Sequence, residues 1–444
     1  MASIILGLLV AFEIGFASYC IYTVSTHLKV KSYARLLELG IFIMFCILKI
    51  LKWGIRWYLL GVLLLVLAIR GLYVLLLKKK YTKQFHKRSV IFKATGMILM
   101  YVIVLIPAFL FPQYEAPQPT GKYDVATEQY TYISDTTIDY YTGSKRQVNV
   151  GFWYPKDGSG KYPLVVFSHG AFGIKNSNIS SYEELASHGY VVCSIDHPGH
   201  SFYTKSEDGQ VALVDKAYMN EVTYANMDAY YTKAETYDVI QKWMKIRTSD
   251  INFTIDTILQ YVAQADQTNI TQLRQSDTME LYQLIDCDKI GVFGHSMGAA
   301  ASIQIGSERK DIDAVINIDG PYFSEIIYDS NIDEFVATKE QYNTPVLNIY
   351  SDQVWVQLKD GTNTGVYAGN KISDQICTEV YDVYLKGTKH LTLTDLSIVS
   401  PFLTNLLNGE KAEVNAKEII EFENSLILDF FNAKLKEEGN FSWE

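Results

Sequence analysis

Between Lys289 and Ala301 the chain reads Lys-Ile-Gly-Val-Phe-Gly-His-Ser-Met-Gly-Ala-Ala-Ala. An apolar run enters Gly294-His295-Ser296-Met297-Gly298, and a run of small residues follows. That pattern fits a strand turning sharply into a helix, with a serine hydroxyl held at the corner beside the helix N-terminus. Gly294 and Gly298 flank the serine because the turn leaves no room for bulk. A serine hydroxyl attacks a carbonyl only if a base takes its proton. Elbow sites of this kind run nucleophile, acid, base along the chain. Histidines stand at 27, 86, 169, 188, 197, 200, 295 and 390, and His390 alone follows Ser296. The acid should end a strand between the two. Asp319 closes Ala314-Val315-Ile316-Asn317-Ile318, and Asp352 closes Val346-Leu347-Asn348-Ile349-Tyr350-Ser351. Either could orient an imidazole and stabilise its cation, and spacing leaves both open.

Such a reaction also needs donors for the oxyanion of the tetrahedral intermediate. Phe167-Ser168-His169-Gly170-Ala171 follows an early apolar run, where a glycine lets backbone approach substrate. The expected pair of donors is the Ala171 and Met297 amides. His169 is expected to brace the loop rather than to react. The five cysteines show no paired spacing, so neither a zinc site nor a disulfide framework is expected, and the chemistry calls for no metal or cofactor.

The elements that must position these groups follow from the patterning. Candidate strands fall at about 129–136, 147–154, 163–168, 190–195, 289–293, 313–318, 345–350 and 379–385. Runs such as Leu164-Val165-Val166-Phe167 read as strands covered on both faces. Helical segments lie at about 180–188, 297–308 and 415–437. The expected class is α/β, a mostly parallel eight-stranded sheet flanked by helices, with an antiparallel hairpin at one edge. An insertion at about 200–288 should add one or two helices, near 232–246 and 251–265. The catalytic region is thus expected at 129–444, after a Pro-containing linker at 113–128.

Residues 1–112 are of another kind. They hold 14 Lys/Arg against Glu13 and Glu38, whereas the remainder holds 25 basic and 47 acidic residues. An acidic catalytic portion argues against nucleic acid as a partner. Apolar stretches at about 3–24, 36–52, 56–77 and 91–112 predict four membrane spans. Lys29, Lys31 and Arg35 between the first two, and Lys78, Lys79, Lys80, Lys83, Lys87 and Arg88 between the last two, put those loops in the cytoplasm. The catalytic portion would then face the exterior of the cell membrane, close to lipid. Sequons at Asn178, Asn252, Asn269 and Asn440 would be modified only in a secretory pathway.

The motifs resemble those of the platelet-activating factor acetylhydrolases of the plasma and intracellular type-II kind and their bacterial relatives, within the α/β-hydrolase superfamily. The resemblance runs through Pro119-Thr120-Gly121-Lys122-Tyr123, Phe152-Trp153-Tyr154-Pro155, Phe167-Ser168-His169-Gly170, Asp196-His197-Pro198, the Ser296 elbow, Asp319 and His390, over roughly 115–430. It implies that Asp319 is the acid and that Ala171 supplies an oxyanion amide. It also implies ester hydrolysis of short or oxidised acyl chains on phospholipids. The four-span N-terminus and the 200–288 interval depart from the animal enzymes. Competing readings keep the site but change the target to a peptidase, polyesterase or acyltransferase substrate, or make the domain an unreactive membrane receptor or scaffold.

Overall fold

A computed structural model describes residues 1–76, 85–227, 230–267 and 280–443. Lys78, Lys79, Lys80, Lys83 and Asn269 therefore lie outside the described residues. The chain divides into two compact units: Met1–Glu115 with Ile398–Thr404, and Ala116–Ser397 with Asn405–Glu444.

The first unit holds helices α1 (Ala2–Tyr22), α2 (Leu28–Ile47), α3 (Ile55–Leu76) and α4 (Lys87–Leu110). Three of them, α1, α3 and α4, are long and apolar enough to cross a membrane. The helix at the second expected span, 36–52, is not one of these three. The helix there starts at Leu28 and takes in Lys29, Lys31, Arg35 and Glu38. Lys31, Arg35 and Glu38 meet partners, and Lys29 is exposed. Arg35 is buried, paired with Glu13 of α1 and with Glu38 at 2.7 Å, and bonds the Tyr101 hydroxyl at 2.6 Å. Arg70, the charge inside the third expected span, is exposed on α3.

The second unit is built on one eight-stranded sheet. In chain order its strands are β1 (Val125–Ile138), β2 (Lys145–Pro155), β3 (Tyr162–Ser168), β4 (Val191–Ile195), β7 (Ile285–His295), β8 (Ala314–Ile318), β11 (Val346–Tyr350) and β12 (Val380–Tyr384). Two small hairpins, β5 (Tyr203–Lys205) with β6 (Val211–Leu213) and β9 (Ile326–Asp329) with β10 (Glu334–Ala337), stand apart from it. The spatial order is β1-β2-β4-β3-β7-β8-β11-β12. β1 and β2 form the antiparallel edge hairpin, β2 runs antiparallel to β4, and every pairing from β4 to β12 is parallel. Each expected strand is present in this sheet.

Side chains alternate across it. Leu164 and Val166 of β3 join a core with Ile240, Met244, Ile255 and Ile258 of α7 (Lys233–Gln267) and with Ala300, Ala301 and Ile303 of α8 (Met297–Glu308). Val165 and Phe167 face the other way, onto Tyr182 and Leu185 of α5 (Ile179–Ser187) and onto Ile427, Phe430 and Phe431 of α9 (Ala416–Leu435). The layers are helix, sheet, helix. The insertion opens with the β5–β6 hairpin, followed by a short helix, α6 (Lys216–Ala225), ahead of α7. It differs from expectation in one respect: the two helices foreseen near 232–246 and 251–265 are one continuous helix, α7. No Gly or Pro interrupts Arg247-Thr248-Ser249-Asp250. Arg247, Thr248 and Asp250 are buried with partners, so the helix has no reason to break.

Candidate active site

Ser296 stands where β7 ends and α8 begins, at φ 56° and ψ −124°. A non-glycine residue rarely holds a positive φ, and such strain is retained where the surroundings over-determine it. Here they do. The Ser296 amide donates to the Ile318 carbonyl at 2.8 Å, tying the corner to β8. A Cβ at Gly294 would overlap the Gly298 backbone, and one at Gly298 would overlap the Ser168 carbonyl at the end of β3. Both glycines are therefore demanded by space. The elbow is partly exposed, with Met297 buried behind it.

The two candidate acids part company. Asp319, also at a positive φ (58°), is wholly buried just past β8. Its Oδ2 accepts the His390 Nδ1 hydrogen bond at 2.7 Å, and it also accepts from the Ser351 amide and hydroxyl, each at 2.7 Å. With Nδ1 carrying the proton toward Asp319, Nε2 of His390 is left with a free lone pair. Asp352 accepts instead from the Tyr384 hydroxyl (2.7 Å) and the Gly387 amide (2.9 Å), so it braces the loop that carries His390.

His390 is held in three further ways. Its amide donates to Gln353 Oε1 at 2.9 Å, its carbonyl accepts from His295 Nε2 at 2.9 Å, and its ring packs on the His295 ring with centroids 4.5 Å apart. Burial, and then the neighbouring His390, push the His295 pKa down to about 3. A neutral His295 donating one N–H is what that contact requires. Ser296 Oγ makes no hydrogen bond among the described residues. The Asp319–His390 half of the array is hydrogen-bonded, and the Ser296 corner is set by the backbone.

The loop after β3 lies against the elbow: a Cβ at Gly170 would come within 3.1 Å of Ser296 Cβ. The Met297 amide is the first of its helix and has no carbonyl within that helix to bond. The Ala171 amide likewise donates to no group among the described residues. His169 is buried, with Nδ1 donating to the Gly170 carbonyl (2.7 Å) and Nε2 accepting from the Ser201 hydroxyl (2.7 Å), a bracing role. Behind it, His197 joins the Ser168 hydroxyl (2.9 Å) to Asp250 (2.9 Å), and Arg146 clasps Asp250 through Nε and Nη2 at 2.8 and 2.6 Å. Removing one partner from a buried ion pair of this kind is strongly destabilising, because it leaves the other charge uncompensated. Ser351, Gln353, Asp250 and Arg247 were not found from sequence. They share no motif, and only the fold brings them near the elbow.

A family model described as platelet-activating factor acetylhydrolase, isoform II, matches residues 113–444. Among curated relatives, the platelet-activating factor acetylhydrolase of Bos taurus is 24% identical over 292 residues, 64% of this chain and 60% of the relative. That of Gallus gallus is 23% identical over 336 residues, 71% of this chain and 72% of the relative. The chain thus spans less than two thirds of the bovine relative. Among solved structures, a ferulic acid esterase from Streptomyces cinnamoneus aligns with a TM-score of 0.53 and 18% identity, covering 74% of this chain and 94% of that one. This last likeness concerns the fold. With three quarters of its length matched by the family model, the chain belongs to the platelet-activating factor acetylhydrolase, isoform II, family.

Proposed function

We propose that the chain is a serine carboxylic-ester hydrolase in which Ser296, His390 and Asp319 act as nucleophile, base and orienting acid. Ser296 Oγ attacks the ester carbonyl while its proton passes to His390 Nε2, and Asp319 steadies the imidazolium through Nδ1. The oxyanion is met by the Ala171 and Met297 amides. Collapse breaks the bond to the leaving alcohol, which takes the proton from His390. Water then gives a proton to His390 and attacks the acyl-enzyme, and the acid departs as Ser296 regains its hydrogen. The observation that carries this reading is the 2.7 Å bond from His390 to a buried Asp319, set one strand from a strained serine.

The substrate we propose is a phospholipid with a short or oxidised acyl chain. Family membership and the acetylhydrolase relatives support it, and three membrane-capable helices would keep such an enzyme near lipid. Placement in the cell membrane, with the catalytic unit on the extracytoplasmic side, is supported by the basic residues Lys29, Lys31 and Arg35 in the first turns of α2. The test is a panel of esters, amides and acyl acceptors graded by acyl length, with Ser296→Ala alongside. Short-chain esters should turn over fastest, and Ser296→Ala should lower that turnover by on the order of 10⁶. Faster turnover of amides, or acyl transfer in place of hydrolysis, would reassign the substrate class. Equal turnover by Ser296→Ala would end the mechanism.

A further inference from the structure

We infer that Arg247 is a positioning residue of the oxyanion site: its buried guanidinium grips two successive carbonyls of the loop after β3 and so aims the loop's amides at the reacting carbonyl. The inference rests on the reading of Ala171 given above.

Arg247 lies within α7 and has no exposed surface. Its Nη1 donates to the His169 carbonyl and its Nη2 to the Gly170 carbonyl at 3.2 Å, while Nε donates to His200 Nδ1 at 3.3 Å. The Gly170 carbonyl also accepts from His169 Nδ1 and, across the turn, from the Gly173 amide at 3.1 Å. A trans peptide is planar, so its C=O and N–H point in opposite directions. The Gly170 carbonyl shares its peptide with the Ala171 N–H. Drawing that oxygen back toward Arg247 turns the N–H the other way. The His169 carbonyl stands in the same relation to the Gly170 N–H.

Charge reinforces the geometry. Among the described residues no carboxylate pairs with Arg247, because nearby Asp250 is taken by Arg146 and His197. A buried cation acts on the peptides it bonds and strengthens their N–H groups as donors. Tyr218 of α6 extends the network to the Met297 side chain: its ring stacks on His200 with centroids 3.8 Å apart, and its hydroxyl lies 3.3 Å from Met297 Sδ. The guanidinium thus backs the Ala171 peptide directly and reaches the Met297 side chain through His200 and Tyr218. A sole role in holding α7 to the sheet would not need a fork on these two carbonyls.

The experiment compares Arg247→Lys and Arg247→Met with the full chain in detergent, using p-nitrophenyl acetate and its thiono analogue. Sulfur at the carbonyl is a poor acceptor, so an intact oxyanion site prefers the oxygen ester. Arg247→Met should lower kcat by about 10²-fold with KM changed by less than about threefold, and Arg247→Lys, which keeps charge but loses the fork, by about tenfold. Both should lose most of the oxygen-over-sulfur preference. If Arg247→Met does not fold by circular dichroism, Arg247→Lys decides. Wild-type kcat in Arg247→Lys, or a lower kcat with the oxygen preference intact, overturns the inference. Ser296→Ala run in parallel separates the two claims. If it is inactive while Arg247→Lys is fully active, only the role of Arg247 falls; if it is active, the reading of the site falls first.

Discussion

At the scale of single residues, the elbow serine and the proposed base are legible because each is singled out by order. One Gly-x-Ser-x-Gly follows an apolar run, and one histidine follows it. The acid is not separable by spacing, because Asp319 and Asp352 both end apolar strands. What separates them is lateral position: β8 pairs with β7, which carries the serine, whereas β11 lies one strand further out. From this follows a contrast. Asp319→Asn should lower kcat by on the order of 10⁴, since the ring loses its orienting acceptor, while Asp352→Asn should alter stability of the 384–390 loop more than the rate. Equal losses in both variants would refute the assignment. His295 makes a second prediction. Its folded pKa of about 3 lies below the ordinary histidine value of 6.5. The unfolded chain therefore binds the proton first, and the stability His295 contributes is whole above pH 6.5 and drains away as pH falls toward 3. Melting temperature should decline across that window, and less steeply in His295→Gln. Parallel pH profiles for the two proteins would contradict this.

At the scale of elements, periodicity locates the strands because buried parallel strands are short, apolar and separated by polar segments. It locates the start of α8 because small residues must lie where a helix packs tightly on a sheet. It misjudges the insertion, since the run Arg247-Thr248-Ser249-Asp250 looks like a break until its partners are known. Polar residues inside a helix signal a loop in sequence and a buried network in space, and only the fold distinguishes them. The helix at the second expected span starts earlier than the apolar stretch for a related reason: Arg35 reads as a loop charge until Glu13 and Glu38 meet it. The packing of α9 yields a quantitative expectation. Phe431 is fully buried, with its ring centroid 6.0 Å from that of Phe293 on β7. Phe431→Ala should cost about 3–5 kcal/mol of stability, read from denaturant melts, because it leaves a cavity beneath the strand that carries the serine. A loss below about 1 kcal/mol would mean that the helix contributes little to that core.

At the scale of the whole molecule, composition alone divides the chain in two. Charge changes sign near residue 112, and apolar stretches give way to strand-sized runs. Orientation across a bilayer is a proposal from the basic residues, and it has a direct check. The chain should remain with membranes through alkaline carbonate extraction. Protease added to intact cells should cut within 113–119, the proline-bearing stretch, and split the chain into two fragments on a denaturing gel. Cleavage only after the cells are opened would reverse the orientation, and extraction by carbonate would remove the anchor altogether. Substrate is the least legible property, because acyl length is set by loops and side chains that no local motif marks.

The central claim is that the hydroxyl of Ser296 is the group that attacks. Treating the purified full chain with a fluorophosphonate and mapping the adduct by peptide mass spectrometry tests it without assuming any substrate. One phosphonylated peptide is expected, carrying the added mass on Ser296 and formed far more slowly in His390→Ala. An adduct on a different residue, or rapid labelling that survives Ser296→Ala, would contradict it.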